Sequence, residues 1–191
     1  MIDLGEWSRE DPDGSLTVQD GRVSWVKADR TTIRYVGKET GIVGDFQHSF
    51  NVRIDECYVE DERNKGLLRL WELRHDGANL LWTNARKTPG GWTIHFQQRY
   101  QGRGLWVYDG TEPLTLGQRY TVEVQRTGNQ HRLRVLNEET SAVHVDTGEI
   151  QGLNQPFRWI RVASTIFSRR NNGNWSTGYI ENLKITPNHK P

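Results

Sequence analysis

The sequence predicts an all-β protein built as a sandwich of two antiparallel sheets, and three observations predict it. Apolar residues recur at every second position in stretch after stretch of the 191-residue chain, the period that gives a strand one dry face and one wet face. Clusters such as HDGAN, TPGG, GRG, TGNQ, NEETS and NNGN separate those stretches and carry the Gly, Asn, Asp and Pro that turns require. No segment shows the i, i+3, i+4 apolar spacing of an amphipathic helix. About a dozen short strands of this kind bury their dry faces as two packed sheets.

The elements follow in order. After a Gly-, Pro- and Asp-containing opening come SLTV (15–18), RVSWV (22–26) and TIRYV (32–36). GDFQHSFNVRID (44–55) is the clearest strand: Phe46, Phe50, Val52 and Ile54 share one parity, while Asp45, Gln47, Ser49, Asn51, Arg53 and Asp55 share the other. It is expected to run on towards Cys57, Tyr58 and Val59. Residues 60–65, EDERNK, read either as a helical turn or as a solvated loop. GLLRLWELRH (66–75), NLLWTNA (79–85), WTIHFQQRY (92–100) and GLWVYDG (104–110) come next. Residues 119–137 form a hairpin in which Tyr120, Val122 and Val124 face inward, Thr127-Gly128-Asn129-Gln130 turns, and Leu133 and Val135 return. AVHVD (142–146), RWIRVAST (158–165) and YIENLKIT (179–186) complete the set, and the whole of 1–191 reads as one domain with loose ends.

Composition excludes several trades. Lys and Arg number 25 against 24 for Asp and Glu, so no global field gathers nucleic acid or an anionic membrane, although a local basic patch is compatible with that balance. Cys57 stands alone, which rules out an internal disulfide framework and a cysteine zinc site and leaves the compartment open. The first twenty residues lack an apolar core, so no signal peptide is expected, and no apolar run approaches the ~18 residues of a spanning helix. There is no Gly-rich phosphate loop, and the histidines at 48, 75, 95, 131, 144 and 189 do not fall at metal-ligand spacing.

GDFQHSFNVRID, the hairpin LGQRYTVEVQRTGNQHRLRVLN and the closing GYIENLKIT together resemble the concanavalin A-like lectin/glucanase jelly roll, over nearly the whole chain. The resemblance implies two curved sheets, with glycans bound in the concave face of one, and an extracellular or surface-associated setting. It also implies that a structural calcium ion is compatible with the fold, although the sequence assigns that ion no ligands. Lectins, carbohydrate-binding modules, glycoside hydrolases, polysaccharide lyases and adhesion domains share this architecture, so the function rests on the site. Alternation within WTIHFQQRY sends Trp92, Ile94 and Phe96 to the core and leaves His95, Gln97 and Arg99 in a row on the other face. Glu72 and Arg74 share a parity in the preceding strand, and if the strands are neighbours the five make one polar strip. Guanidiniums and carboxylates suit a hydroxyl-rich or acidic sugar, because they form paired hydrogen bonds to hydroxyls and uronates.

Catalytic branches of the resemblance are matched less fully. The glucanase pattern E-x-D-x-x-E is absent, and Glu60 and Glu62, roughly 7 Å apart on an extended chain, lie in an acidic cluster with no aromatic platform. The alginate-lyase pattern is matched by Glu72-Leu73-Arg74 and by Ile94-His95, but Leu70 stands where an Arg is wanted, Thr93 where a Gln is wanted, and no catalytic Tyr is identified.

The eight tryptophans supply stacking surfaces for sugar rings. Trp7, Trp25 and Trp92 occupy core parities, and Trp71 and Trp159 lie where the strand faces switch. Trp82, Trp106 and Trp175 stand beside polar loops and are the aromatic candidates for a binding edge. The loop SRRNNGNWSTG (168–178) adds Arg169 and Arg170, a pairing that suits an anionic partner, and Asn174-Trp175-Ser176 fits an N-glycosylation acceptor. The expectation is a non-catalytic glycan-binding module with Glu72, Arg74, His95, Gln97, Arg99, Trp82, Trp106 and Trp175 as its binding residues. A lyase or hydrolase of the same fold and a protein-interaction domain are the alternatives.

Overall fold

In the computed structural model the described residues are 4–29, 33–60, 66–164 and 173–187, without the side chains at 66, 67, 105–107 and 187. Fifteen strands follow one another: β1 (Ser8–Glu10), β2 (Leu16–Gln19), β3 (Arg22–Asp29), β4 (Tyr35–Ile42), β5 (Phe46–Tyr58), β6 (Gly66–Arg74), β7 (Leu80–Thr88), β8 (Gly91–Tyr100), β9 (Arg103–Tyr108), β10 (Arg119–Thr127), β11 (Gln130–Asn137), β12 (Val143–Asp146), β13 (Ile150–Gln151), β14 (Phe157–Ser164) and β15 (Trp175–Pro187). A 3₁₀ turn, Leu4–Glu6, precedes them, and the described residues hold no α-helix and no helix long and apolar enough to cross a membrane.

All pairings between these strands are antiparallel, in two sheets. The first has the order β1-β4-β14-β6-β7-β8-β9, and the second has the order β12-β11-β10-β5-β15-β3-β2, with β13 paired to β11. Strand β5 lies mid-sheet because its dry face has partners on both sides: Val52 is opposite Tyr120 and Ile180, and Phe50 is opposite Val122. Phe46, Phe50, Val52 and Ile54 are buried as their parity requires, with His48 buried among them. Full burial of each such apolar side chain stabilises the sandwich by about 1.5–3 kcal/mol. The β10–β11 hairpin closes through Gly128, whose φ of 56° supplies the left-handed residue that a tight turn needs.

Trp7, Trp25, Trp71 and Trp92 belong to the buried core, which settles Trp71. Two polar side chains enter it with full partnerships. Gln98 donates to the Leu153 carbonyl at 3.0 Å and accepts from the Leu153 amide at 3.1 Å, fastening the loop before β14. Arg126 is buried over the rings of Phe46 and Phe157 and donates to the carbonyls of Gly44 and Gln155.

Three expectations change. Strand β4 begins at Tyr35, within the TIRYV stretch, and runs to Ile42 because β1 and β14 flank it on either side. Strands β1 and β13, not expected from the sequence, are three and two residues long, too short to display a period. NLLWTNA extends to Thr88, so Trp82 is a strand residue and not a loop-edge residue. Residues 61–65 of the EDERNK stretch lie outside the described residues.

Candidate functional site

Leu73, Leu81 and Phe96 of β6, β7 and β8 point into the core, so their neighbours along each strand face away from it. Register then assembles a row across four adjacent strands: Arg161 is opposite Glu72, Glu72 is opposite Trp82, and Trp82 is opposite Gln97. On one side runs a second row, Trp159, Arg74, Leu80 and Arg99. On the other side, Asn84 is opposite both Arg69 and His95.

Arg69 joins this face through a β-bulge. Between the pairs Arg69–Asn84 and Trp71–Thr83, strand β6 advances two residues while β7 advances one. The extra residue is Leu70, and it is buried. Strict alternation would have put Leu70 beside Glu72; the bulge turns Leu70 away and puts Arg69 there. Across β14, Ala163 absorbs the same irregularity at a φ of 49°. Gly37 makes room for Arg161, since a Cβ there would stand 2.9 Å from the Arg161 Cγ.

Glu72 is fully buried at the centre of the face. It pairs with Arg69, lies 3.6 Å from Arg74 Nε, and its Oε2 accepts from the Ser164 hydroxyl at 3.5 Å. The Arg69 guanidinium is stacked 4.3 Å from the Trp82 ring centroid, with Arg99 at 5.8 Å from the same ring. Arg161 lies 3.7 Å over Tyr35. Burial lowers the pKa of Arg69; Glu72 raises it, and the charges of Arg74 and Arg99 lower it again. Burial also lowers Arg161, with Arg74 acting in the same direction and Glu72 opposing. The four guanidiniums therefore repel one another around the buried Glu72 carboxylate, with Glu10 adding a smaller attraction on Arg161.

His95 is held from both ends. Its Nδ1 is 2.9 Å from Asp109 Oδ1 and its Nε2 is 3.0 Å from the buried Thr93 hydroxyl. Gly110 brings Asp109 within reach by passing so close to β8 that a Cβ would stand 2.3 Å from the Ile94 carbonyl oxygen. Burial lowers the His95 pKa, and Asp109 works against that shift. The exposed member of the trio is the carboxylate and the enclosed one is the hydroxyl, so Thr93 is a support for the ring and not a presented nucleophile.

Of the eight expected residues, Glu72, Arg74, Trp82, His95, Gln97 and Arg99 occupy this one face. Trp175 does not join them. It opens β15 on the second sheet, stacks on Tyr58 at 6.1 Å, and takes Lys27 over its ring at 5.5 Å. The side chain of Trp106 and residues 168–172, with Arg169 and Arg170, lie outside the described residues. Arg69, Arg161, Tyr35 and Trp159 are additions from the structure. Among the described residues no three His, Cys, Asp or Glu side chains gather to hold a metal ion.

Two antiparallel sheets packed in this strand order make a jelly-roll β-sandwich. The chain is similar to a functionally unknown protein from Saccharomyces cerevisiae at a TM-score of 0.67 and 11% identity, over 97% of this chain and 98% of that one. It is similar to the carbohydrate-binding module CBM66 from Bacillus subtilis at 0.54 and 12%, over 94% of each chain. An alginate lyase from Klebsiella pneumoniae matches at 0.57 and 10%, over 92% of this chain and 85% of that one. Likeness at these identities concerns the fold. No protein-family model and no curated protein matches the sequence.

Proposed function

We propose that the chain is a non-catalytic glycan-binding module whose site is the outer face of the first sheet. The observation that carries this reading is the register that gathers Glu72, Arg74, Trp82, His95, Gln97 and Arg99 on three neighbouring strands. Such a face offers fixed donors on rigid strands, so little ordering entropy is lost when a ligand docks. Carbohydrate binding by a module of the same fold supports the reading. The lyase alternative has weaker support in the geometry: His95 is enclosed, and its Nε2, opposite the nitrogen held by Asp109, is turned to the buried Thr93 hydroxyl and not to an open substrate position.

Retention on immobilised acidic and neutral polysaccharides at neutral pH, with and without calcium, tests the proposal. Gln97→Ala is expected to weaken retention several-fold without changing the melting temperature by more than about 2 °C. Absence of retention on every polysaccharide would overturn the reading. Growth of unsaturated-uronate absorbance on the same substrates would replace it with the lyase.

A further inference from the structure

We infer that the saccharide taken by this face is anionic, carrying carboxylate or sulfate groups; the inference rests on the glycan reading of the same site. Three guanidiniums on the face, those of Arg74, Arg99 and Arg161, have no hydrogen-bond acceptor among the described residues. Arg74 approaches Glu72 only to 3.6 Å, Arg99 has only the Trp82 ring at 5.8 Å, and Arg161 lies over the Tyr35 ring at 3.7 Å with a buried Nε that has no hydrogen-bond partner. The central carboxylate gives its Oε2 to Arg69 and Ser164 and leaves its Oε1 3.6 Å from Arg74 Nε, and Glu10 adds an attraction on Arg161 without a hydrogen bond to it. Guanidiniums left in this state present planar pairs of N–H groups that match the two oxygens of a carboxylate or the edge of a sulfate.

Position agrees with charge. Arg161 and Gln97 close the two ends of a row spanning three inter-strand steps, roughly 14 Å at the usual strand spacing. Arg74 and Arg99 flank that row on one side and Arg69 flanks it on the other. A short oligosaccharide laid across the strands meets cations along its length, with Gln97 and Asn84 available to its hydroxyls. Rings of Tyr35 and Trp82 fix Arg161 and Arg69 from beneath, so the cations are held for a ligand and not swept freely through solvent.

The experiment is calorimetric titration of the full chain with alginate, galacturonate and heparin oligosaccharides. Methyl-esterified oligogalacturonate serves as a neutral analogue of equal shape, and inorganic polyphosphate as an anion without sugar rings. The expected result is that at least one acidic saccharide binds, that a neutral analogue binds at least about tenfold more weakly, and that Arg99→Gln and Arg161→Gln each lose about tenfold. Carboxylate against sulfate is decided by which of the acidic ligands is preferred. Equal binding of the ester would overturn the anionic inference and leave the glycan reading standing. Polyphosphate bound as well as any saccharide would overturn the glycan reading, and no binding by any ligand would overturn both. Arg99→Gln keeps the test available should Arg161→Gln fail to fold, because Arg161 packs on Tyr35 beside Gly37. Arg132→Gln, on the other sheet, is expected to bind as the parent does.

Discussion

The two outer faces of the sandwich use arginine in opposite ways. On the second sheet each guanidinium has its acid: Arg22 and Arg119 share Glu181 at 2.6 Å each, Arg119 also meets Glu138 at 2.8 Å, Arg53 meets Asp55 at 2.6 Å, and Arg134 meets Glu123 at 2.9 Å. Arg132 completes the lattice, with its Nε donating to Asp146 at 2.8 Å. On the first sheet Arg158 meets Glu39 at 2.7 Å, but the four guanidiniums of Arg69, Arg74, Arg99 and Arg161 gather around the one buried carboxylate of Glu72, with Glu10 acting on Arg161 from β1. A near-neutral total of 25 cations to 24 anions conceals this segregation. Net charge therefore excludes a global field without excluding a local one. The lattice on the second sheet pairs its own charge, whereas Arg74, Arg99 and Arg161 of the first sheet have no hydrogen-bond acceptor among the described residues.

Removing the central carboxylate is the strongest way to break that contrast. Glu72→Gln leaves Arg69, 8% exposed, with no anion and with other guanidiniums close by. The expected loss is about 3–5 kcal/mol in urea unfolding, the cost of stranding a buried charge. A loss no greater than that of a single pair on the second sheet would show that the two faces are electrostatically alike.

Acid separates the interior from both faces. His48 and His131 are buried between the sheets, with burial first and Arg126 second lowering their pKa values to about 3 and about 4. Unfolded, each would take a proton near its ordinary value of 6.5; folded, each stays neutral, so the unfolded chain binds more protons and stability falls as pH drops below about 6.5. Each histidine is expected to cost about 2 kcal/mol by pH 5, with the loss levelling off as pH passes its folded value. His131→Phe, which keeps a ring beside Phe96, is expected to recover its share in urea unfolding followed from pH 7 to pH 5. An unchanged slope would remove His131 from the account. The Asp146 pairs answer in another window: Arg132 is the chief cause holding the Asp146 pKa at about 2, so its contribution persists until pH falls below 3.8 and towards that value.

Alternation made the fold legible because register in a half-buried strand follows parity. It also made half of the site legible, since His95, Gln97 and Arg99 sit in an uninterrupted strand whose dry set, Trp92, Ile94 and Phe96, is unmistakable. Arg69 was hidden by the same rule, because a bulge at Leu70 reverses the parity that the rule assumes. Arg161 and Tyr35 were hidden for a different reason: β14 inserts between β4 and β6, and no local pattern encodes which distant strand becomes a neighbour. Trp82 was misplaced by the polar TNARKTPGG that follows it, most of which continues β7. Trp175 precedes residues that read as loop but pair as strand, and pairing with Tyr58 commits it to the second sheet.

The smallest expected effect is the one that makes the comparison quantitative. Asp146 serves Arg132 at 2.8 Å and Arg134 at 3.5 Å, with its side chain 28% exposed and both arginines at least a third exposed. Solvent screens pairs of this kind, and each is worth about 0–1 kcal/mol. Asp146→Asn is therefore expected to cost less than about 1 kcal/mol in urea unfolding, and that cost should shrink further in 0.5 M salt, where surface charges are screened over a few ångströms. Under the same salt the Glu72→Gln loss should persist, because the stranded guanidinium is enclosed and its penalty is desolvation. If salt erases both losses, the first sheet's cations are as wet as the second sheet's, and the case for a preformed anion site on that face falls with them.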